Sequence, residues 1–379
     1  MDFGFNEQQE MLRGSARLFL ERECPLEVVR HLMEDEQGYS PELWRKMADI
    51  GWMGLVLPER YGGSGLSFVD LTILMEEMGR ALLPSPFFSS VVLGGLTLFE
   101  AGSEEQKQRV LPRIASGELR LSLALLETDG RYDPRGIGLR ASIRGNRATL
   151  TGTKLFVPDA QTADTIIAVA RTQRGRDPES GISLFLVDRQ SPGVSYAPLL
   201  SIDQTRRLGE VSFTRVNVPM DQMLGARNTA WPLLQRALDK GVVALSAEMV
   251  GGAERVLEMS VEYAKMRVQF GRQIGSFQAV KHTLADMKLL VENAKSVLYY
   301  AAWAVDCDAP EASRAASMAK AYCSDMYLRV AMDGIQVHGG VGFTWDHPMH
   351  LFFKRAKGSE VLLGDATWHR ERTAAGIPQ

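Results

Sequence analysis

Residues 267–278 read Arg-Val-Gln-Phe-Gly-Arg-Gln-Ile-Gly-Ser-Phe-Gln, so two arginines, two glycines and two phenylalanines share one short loop. Glycine lets a backbone approach a ligand closely. A guanidinium offers a planar fork of donors that matches phosphate oxygens, and a phenylalanine ring is a flat apolar face. The set suits a ligand that carries both phosphate and an aromatic ring, such as a dinucleotide. A helix–helix corner with surface arginines is the competing reading. A second stretch, Gln336-Val337-His338-Gly339-Gly340-Val341-Gly342-Phe343, is also glycine-rich and also lies between helical segments. Two such loops favour a ligand.

The elements that must carry these loops follow from periodicity. Residues 6–118 read as helical, with Glu7–Glu21 amphipathic and Ser40 capping a helix that starts at Pro41. Asp70–Leu82 and Ser103–Ser116 follow, and Ser103 with Gln106 forms a capping-box pattern. Near Leu121 the pattern changes to short β-branched and apolar runs punctuated by Gly, Pro, Asn and Asp. They are Leu121–Leu126, Arg147–Thr151, Thr165–Ala170, Ile182–Val187, Val194–Leu199 and Glu210–Val218. That is the signature of an antiparallel β-domain. Helical periodicity returns over Trp231–Arg267, Ser276–Asp306, Glu311–Val337 and Asp365–Thr373. The expectation is an α+β protein: a helical N-terminal domain (1–120), a middle β-domain (121–228) and a C-terminal four-helix bundle (229–379).

Composition excludes several classes. The 379 residues are 45% hydrophobic and 23% charged, with a net charge of -3, which gives no electrostatic reason to expect nucleic acid or an anionic membrane. Three widely spaced cysteines, Cys24, Cys307 and Cys323, argue against a disulfide framework and a zinc site. Met1–Glu7 has neither a basic nor an apolar leader pattern, and Val91–Phe99 is too short to span a bilayer. A soluble, cytoplasmic protein is expected. His282, His338, His347, His350 and His369 do not form a metal-ligand pattern, so no metal is expected.

The two loops, in this order and about seventy residues apart, resemble the Arg-x-x-Phe-Gly…Phe-Gln and Gln-x-x-Gly-Gly-x-Gly signatures of the acyl-CoA dehydrogenase family. The resemblance extends over essentially the whole chain. It implies FAD as cofactor, an acyl-CoA substrate, an electron acceptor such as an electron-transfer flavoprotein, and a homo- or hetero-oligomer built as a dimer of dimers. In that family both loops bind the FAD of the neighbouring subunit. Carried over, Arg267, Phe270 and Gln278 would serve the pyrophosphate, and Gln336, Gly339 and Gly340 the adenosine end. The implied chemistry is α,β-desaturation of a thioester: a carboxylate removes the α-proton while the β-hydrogen leaves as hydride to the flavin. Such a weak carbon acid requires donors at the carbonyl oxygen and a base shielded from water.

Three departures stand out. The family's flavin-facing Thr-Glu-Pro-x-Ala-Gly-Ser-Asp is here Leu126-Glu127-Thr128-Asp129-Gly130-Arg131-Tyr132-Asp133, so Thr128 remains a candidate contact but a small Gly-Ser pair has become Arg131-Tyr132. The Trp-Ile-Thr segment is Phe156-Val157-Pro158: Phe156 can cover the flavin ring, whereas Pro158 has neither a hydroxyl nor an N–H. The usual base position holds Leu363, and an alternative one used by other members matches Gly241. Two carboxylates remain as candidate bases. Glu248 lies two turns beyond Gly241, about 10 Å along the axis, inside an apolar run where an ion pair would equally explain it. Asp365 is two positions past Leu363 and would equally cap the last helix. The loops meant for a neighbour are kept and those for the chain's own flavin are eroded, which favours one subunit of a hetero-oligomer. A self-sufficient enzyme with an unusual base, a flavin oxygenase and a structural partner on the same fold are the alternatives.

Overall fold

A computed structural model describes residues 4–375. The first three residues of the stretch read above for a leader therefore lie outside the described residues.

The N-terminal layer contains α1 (Glu7–Glu23), α2 (Leu26–Glu34), α3 (Pro41–Asp49), α4 (Phe68–Arg80), α5 (Leu96–Ala101) and α6 (Glu104–Ala115). Local chemistry sets their starts: the Ser40, Ser67 and Ser103 side chains each accept from a backbone N–H in the first turn. The apolar run at Val91–Phe99 is a π-helix, Phe88–Gly95, that continues directly into α5. Every residue of the π-helix is buried. Helices α2, α5 and the one at Met349–Val361 fall outside the individual helices read from the sequence.

The middle layer is a sheet of β1 (Leu121–Ala124), β2 (Arg140–Arg144), β3 (Arg147–Pro158), β4 (Thr165–Arg171), β5 (Ile182–Asp188), β6 (Val194–Leu199), β7 (Leu208–Pro219) and β8 (Met223–Leu224). Its order is β6-β7-β3-β2-β4-β5-β8, with β1 beside β4. The expected antiparallel pattern needs correction at two pairings, because β1 and β2 each run parallel to β4. Alternation identifies a strand and its buried face but not its direction; only hairpin partners reveal that locally.

The C-terminal layer begins with α7 (Trp231–Met266), followed by a small hairpin of β9 (Val268–Gln269) and β10 (Arg272–Gln273). Helices α8 (Gln278–Asp306), α9 (Ala312–His338), α10 (Met349–Val361) and α11 (Ala366–Ala375) complete it. Residues from both helical layers share one hydrophobic core, whereas most of the sheet closes over a second. Among the described residues no helix is long and apolar enough to cross a membrane.

Candidate functional site

The helices that carry the two glycine-rich loops, α7 and α9, pack together near the loops. Tyr263, one turn before the end of α7, stacks on His338 at the end of α9, with ring centroids 4.4 Å apart. His347 packs against the same His338 ring, with centroids 4.6 Å apart. Neither Tyr263 nor these imidazoles were singled out as the link, since nothing local in the sequence pairs them. The hairpin turn that follows holds Phe270 and Gly271 at φ 53° and 74°, the left-handed pair a two-residue hairpin demands. Glycine accepts that conformation freely, whereas phenylalanine holds it at a cost, and the strained Phe270 ring is 91% exposed.

Arg267 is exposed, and its guanidinium has no hydrogen-bond or ion-pair partner among the described residues. Arg272 instead lies over the Phe277 ring, 4.1 Å from its centroid. Gln278, Gln336, Gly339 and Gly340 are also exposed. A side-chain carbon built on Gly271, Gly339 or Gly340 would meet nothing within 4 Å. The open space lies outside the chain.

A second region lies inside it, between the sheet and the bundle. Lys154 on β3 is fully buried and donates to Leu125 O at 2.8 Å and to Glu127 Oε1 at 2.6 Å. Burial pushes its ammonium down to about 8, against the pull of Glu127. The same carboxylate accepts the N–H groups of Gly138 and Leu139. Segment 125–139 is thereby pinned beside β3, with Thr128 and Phe156 both exposed and Phe156 at φ 53°. Further along that segment, Tyr132 crosses to the bundle. Its hydroxyl donates to Val361 O at 3.2 Å, and its ring lies 6.2 Å from that of Trp368 on α11.

Tyr132 thus reaches the turn between α10 and α11. Leu363 and Gly364 there adopt φ 61° and 101°. Lys320 of α9, fully buried, donates to Glu360 O at 2.9 Å, Gly364 O at 2.8 Å and Ser324 Oγ at 3.1 Å. Burial lowers its ammonium to about 7. The buried His369 ring contacts Leu363 O through Nε2 at 3.0 Å, and burial pushes its imidazole down to about 3. That fixes a neutral ring whose Nε2–H donates to the carbonyl.

The two positions at which a base was sought converge. A side-chain carbon on Gly241 would lie 3.4 Å from Leu363 Cδ1 and 2.7 Å from Leu93 Cδ2 of the π-helix. All three residues are buried, and the spot is apolar.

The candidate carboxylates are engaged elsewhere. Glu248 accepts from Arg206 Nη2 at 2.7 and 2.9 Å and also pairs with Arg355. Arg355 in turn meets Asp203 Oδ2 at 3.0 Å and Thr205 Oγ1 at 2.9 Å. Burial works to raise the Glu248 pKa, but the two guanidiniums overcome it and hold the carboxyl below its ordinary range. A carboxylate so stabilised has a weakened drive to take a proton, which corrects the expectation that Glu248 is a suitable base. Asp365 Oδ1 accepts from Trp368 N at 2.7 Å, the bond of an N-cap at the start of α11. The corresponding expectation for Asp365 is corrected in the same way: its side chain is committed to the helix end.

Family models for the N-terminal, middle and C-terminal domains of acyl-CoA dehydrogenases match residues 6–118, 122–216 and 228–377. The chain belongs to the acyl-CoA dehydrogenase family. It is 33% identical to acyl-CoA dehydrogenase IpdE2 of Mycolicibacterium smegmatis, over 98% of this chain and 99% of that one. It is 32% identical to the caffeyl-CoA reductase-Etf complex subunit CarC of Acetobacterium woodii, over 95% of each. Among solved structures, the ChsE4-ChsE5 complex of Mycobacterium tuberculosis matches with a TM-score of 0.90 and 32% identity, covering 100% of both chains.

FAD is the cofactor of this family, and the residues present fit it unequally. The exposed, unpaired Arg267 and the open glycines suit a phosphate-bearing ligand that approaches from outside. Between sheet and bundle the residues fit it poorly: Tyr132 reaches across to Val361 O, and Pro158 has no N–H to donate.

Proposed function

We propose that this acyl-CoA dehydrogenase chain is one subunit of a hetero-oligomer. In that assembly it supports FAD seated in a related partner, and the partner provides the base for α,β-desaturation of an acyl-CoA. The convergence of Gly241, Leu363 and Leu93 on one apolar spot carries this reading. Both places from which the family delivers a carboxylate are the same place here, and among the described residues outside α7 only Leu93 and Leu363 lie within 4 Å of a carbon built on Gly241. When bound, FAD accepts the β-hydrogen as hydride. The α-proton needs a separate acceptor, because a thioester α-carbon is far too weak an acid to lose it unaided.

This chain would supply Arg267, Phe270 and Gln278 to the pyrophosphate and Gln336, Gly339 and Gly340 to the adenosine end. Likeness over both full lengths to the ChsE4-ChsE5 complex, whose name joins two components, supports a two-component assembly. The CarC name pairs that relative with Etf, which supports an electron-transfer flavoprotein as redox partner. It also describes a reductase. Reduction of an enoyl thioester returns a proton to the α-carbon through the same group, so the apolar spot disables both directions equally.

The test is flavin content. Purified alone, the chain carries little FAD, and co-expression with a complementary family member restores it together with anaerobic bleaching by an acyl-CoA. Stoichiometric flavin on the lone chain, bleached by substrate alone, would sink the proposal. Flavin that is reduced only by an external reductant would instead indicate an oxygenase.

A further inference from the structure

Tyr132, in the 125–139 segment, reaches across to the turn between α10 and α11. Three observations define what it does there. Its hydroxyl is tied to Val361 O at 3.2 Å, and its ring rests near that of Trp368. The turn it meets is rigid: Lys320 holds the carbonyls of Glu360 and Gly364, and His369 holds that of Leu363. Finally, the turn has no room to retreat, because a carbon added to Gly364 would lie 2.6 Å from the Trp368 ring.

The Gly364 N–H donates to the same Val361 carbonyl at 3.3 Å, so the phenol joins a contact the turn already makes. Burial raises the phenol pKa to about 12, while the backbone N–H groups of Leu363 and Gly364 pull the other way.

We propose that Tyr132 is a built-in stopper, its ring and hydroxyl filling the seat between sheet and bundle that a flavin with its acyl thioester would occupy. The proposal rests on the reading above, that this chain does not use a flavin of its own. It adds the group responsible. Absence of a base would leave an inactive site still able to take FAD and acyl-CoA. A filled seat excludes both.

The experiment compares FAD binding by the lone chain, its Tyr132→Ser variant and its Tyr132→Phe variant, each incubated with excess FAD and desalted. The comparison is made on chains shown by size-exclusion chromatography to be oligomeric, in which two copies would offer each other the 267–278 and 336–343 loops. Wild type stays flavin-poor. Tyr132→Ser binds FAD at least about tenfold more tightly, a difference of about 1.4 kcal/mol. Tyr132→Phe keeps the ring and stays flavin-poor.

Stoichiometric flavin on wild type overturns both the stopper and the hetero-oligomer reading. A folded Tyr132→Ser chain that remains as flavin-poor as wild type overturns the stopper alone. So does a Tyr132→Phe chain that binds as well as the serine variant. Should the serine variant not fold, Trp368→Ala removes the ring behind Tyr132 and leaves the loop intact. It gives a smaller rise in FAD affinity, and no rise there overturns the proposal.

Discussion

Replacing Glu248 with glutamine separates the two roles its position suggested. The change keeps the shape of the side chain but removes the charge that balances two guanidiniums. Arg206 is left with no other acidic partner, and Arg355 keeps only Asp203. Breaking a buried pair by removing one partner costs about 3–5 kcal/mol, because the remaining charge stays desolvated. For a chain of 379 residues, at about 1.3 °C per kcal/mol, that is a fall of roughly 4–6 °C in Tm.

Thermal melts followed by circular dichroism from pH 3 to pH 8 measure it. The folded pKa of Glu248 lies below its unfolded value. Its stabilisation is therefore complete above the unfolded value, about 4.3, and is lost as pH falls through the folded one. The gap between wild type and Glu248→Gln is thus flat near neutrality and closes below about pH 4. Nearby Asp159 behaves oppositely: burial raises it to about 6, so its contribution is lost as pH rises through that value. That term is common to both proteins and cancels in the difference to first order. Adding Arg206→Met to Glu248→Gln should recover part of the loss, since a guanidinium no longer lies unpaired. The reasoning is refuted if Glu248→Gln melts with wild type while turnover of the assembled enzyme drops about 10²–10⁴-fold, the signature of a lost general base.

Asp365→Ala loses an N-cap and about 1 kcal/mol of stability, with turnover of the assembly unchanged; a collapse of turnover at intact stability would return Asp365 to the chemistry. Lys320→Met leaves the carbonyls of Glu360 and Gly364 without their donor, at about 1–3 kcal/mol for each group. Since the folded Lys320 pKa is lowered to about 7, its contribution is greatest above the unfolded value, about 10.4, and is lost as pH falls towards 7. Urea titrations across that window should show a rising slope in wild type that flattens in the variant. Arg267→Ala leaves the melt of the lone chain unchanged but weakens FAD binding in the hetero-oligomer at least about tenfold, in line with a lost charge-assisted bond of about 1.5–3 kcal/mol. Equal flavin affinity would remove Arg267 from the cofactor.

What was legible in the sequence was whatever the chemistry makes local. The 267–278 and 336–343 loops stood out because left-handed turns and exposed guanidiniums leave a mark within a dozen residues. The long helices α7, α8 and α9 were legible for the same reason. The apolar run at Val91–Phe99 was visible, but its π-helical form was not, since apolar content alone does not distinguish the helix types. The contacts that define the interior site are not local. Tyr132 and Val361 are 229 positions apart, and Gly241 meets Leu363 only because α7 packs beside the turn that follows α10. Substitution of a Gly-Ser pair by Arg131-Tyr132 showed that space had been lost. Only the fold shows what the new ring does with it.

The same packing argument links loss of the base to presence of the stopper. A flavin seat with no flavin would be a large void between sheet and bundle, and voids cost stability in proportion to the volume left unfilled. On the stopper proposal, Tyr132 and Trp368 fill that space, and the chain folds without a cofactor. Opening the seat therefore has two coupled effects. Tyr132→Ser should melt below wild type in the absence of FAD, and added FAD should raise its Tm progressively while leaving wild type unmoved, because a ligand stabilises only the state that binds it. A variant destabilised by the mutation yet indifferent to FAD would mean that Tyr132 packs the interface for its own sake. A concentration-dependent recovery would mean that the side chain stands where the cofactor would.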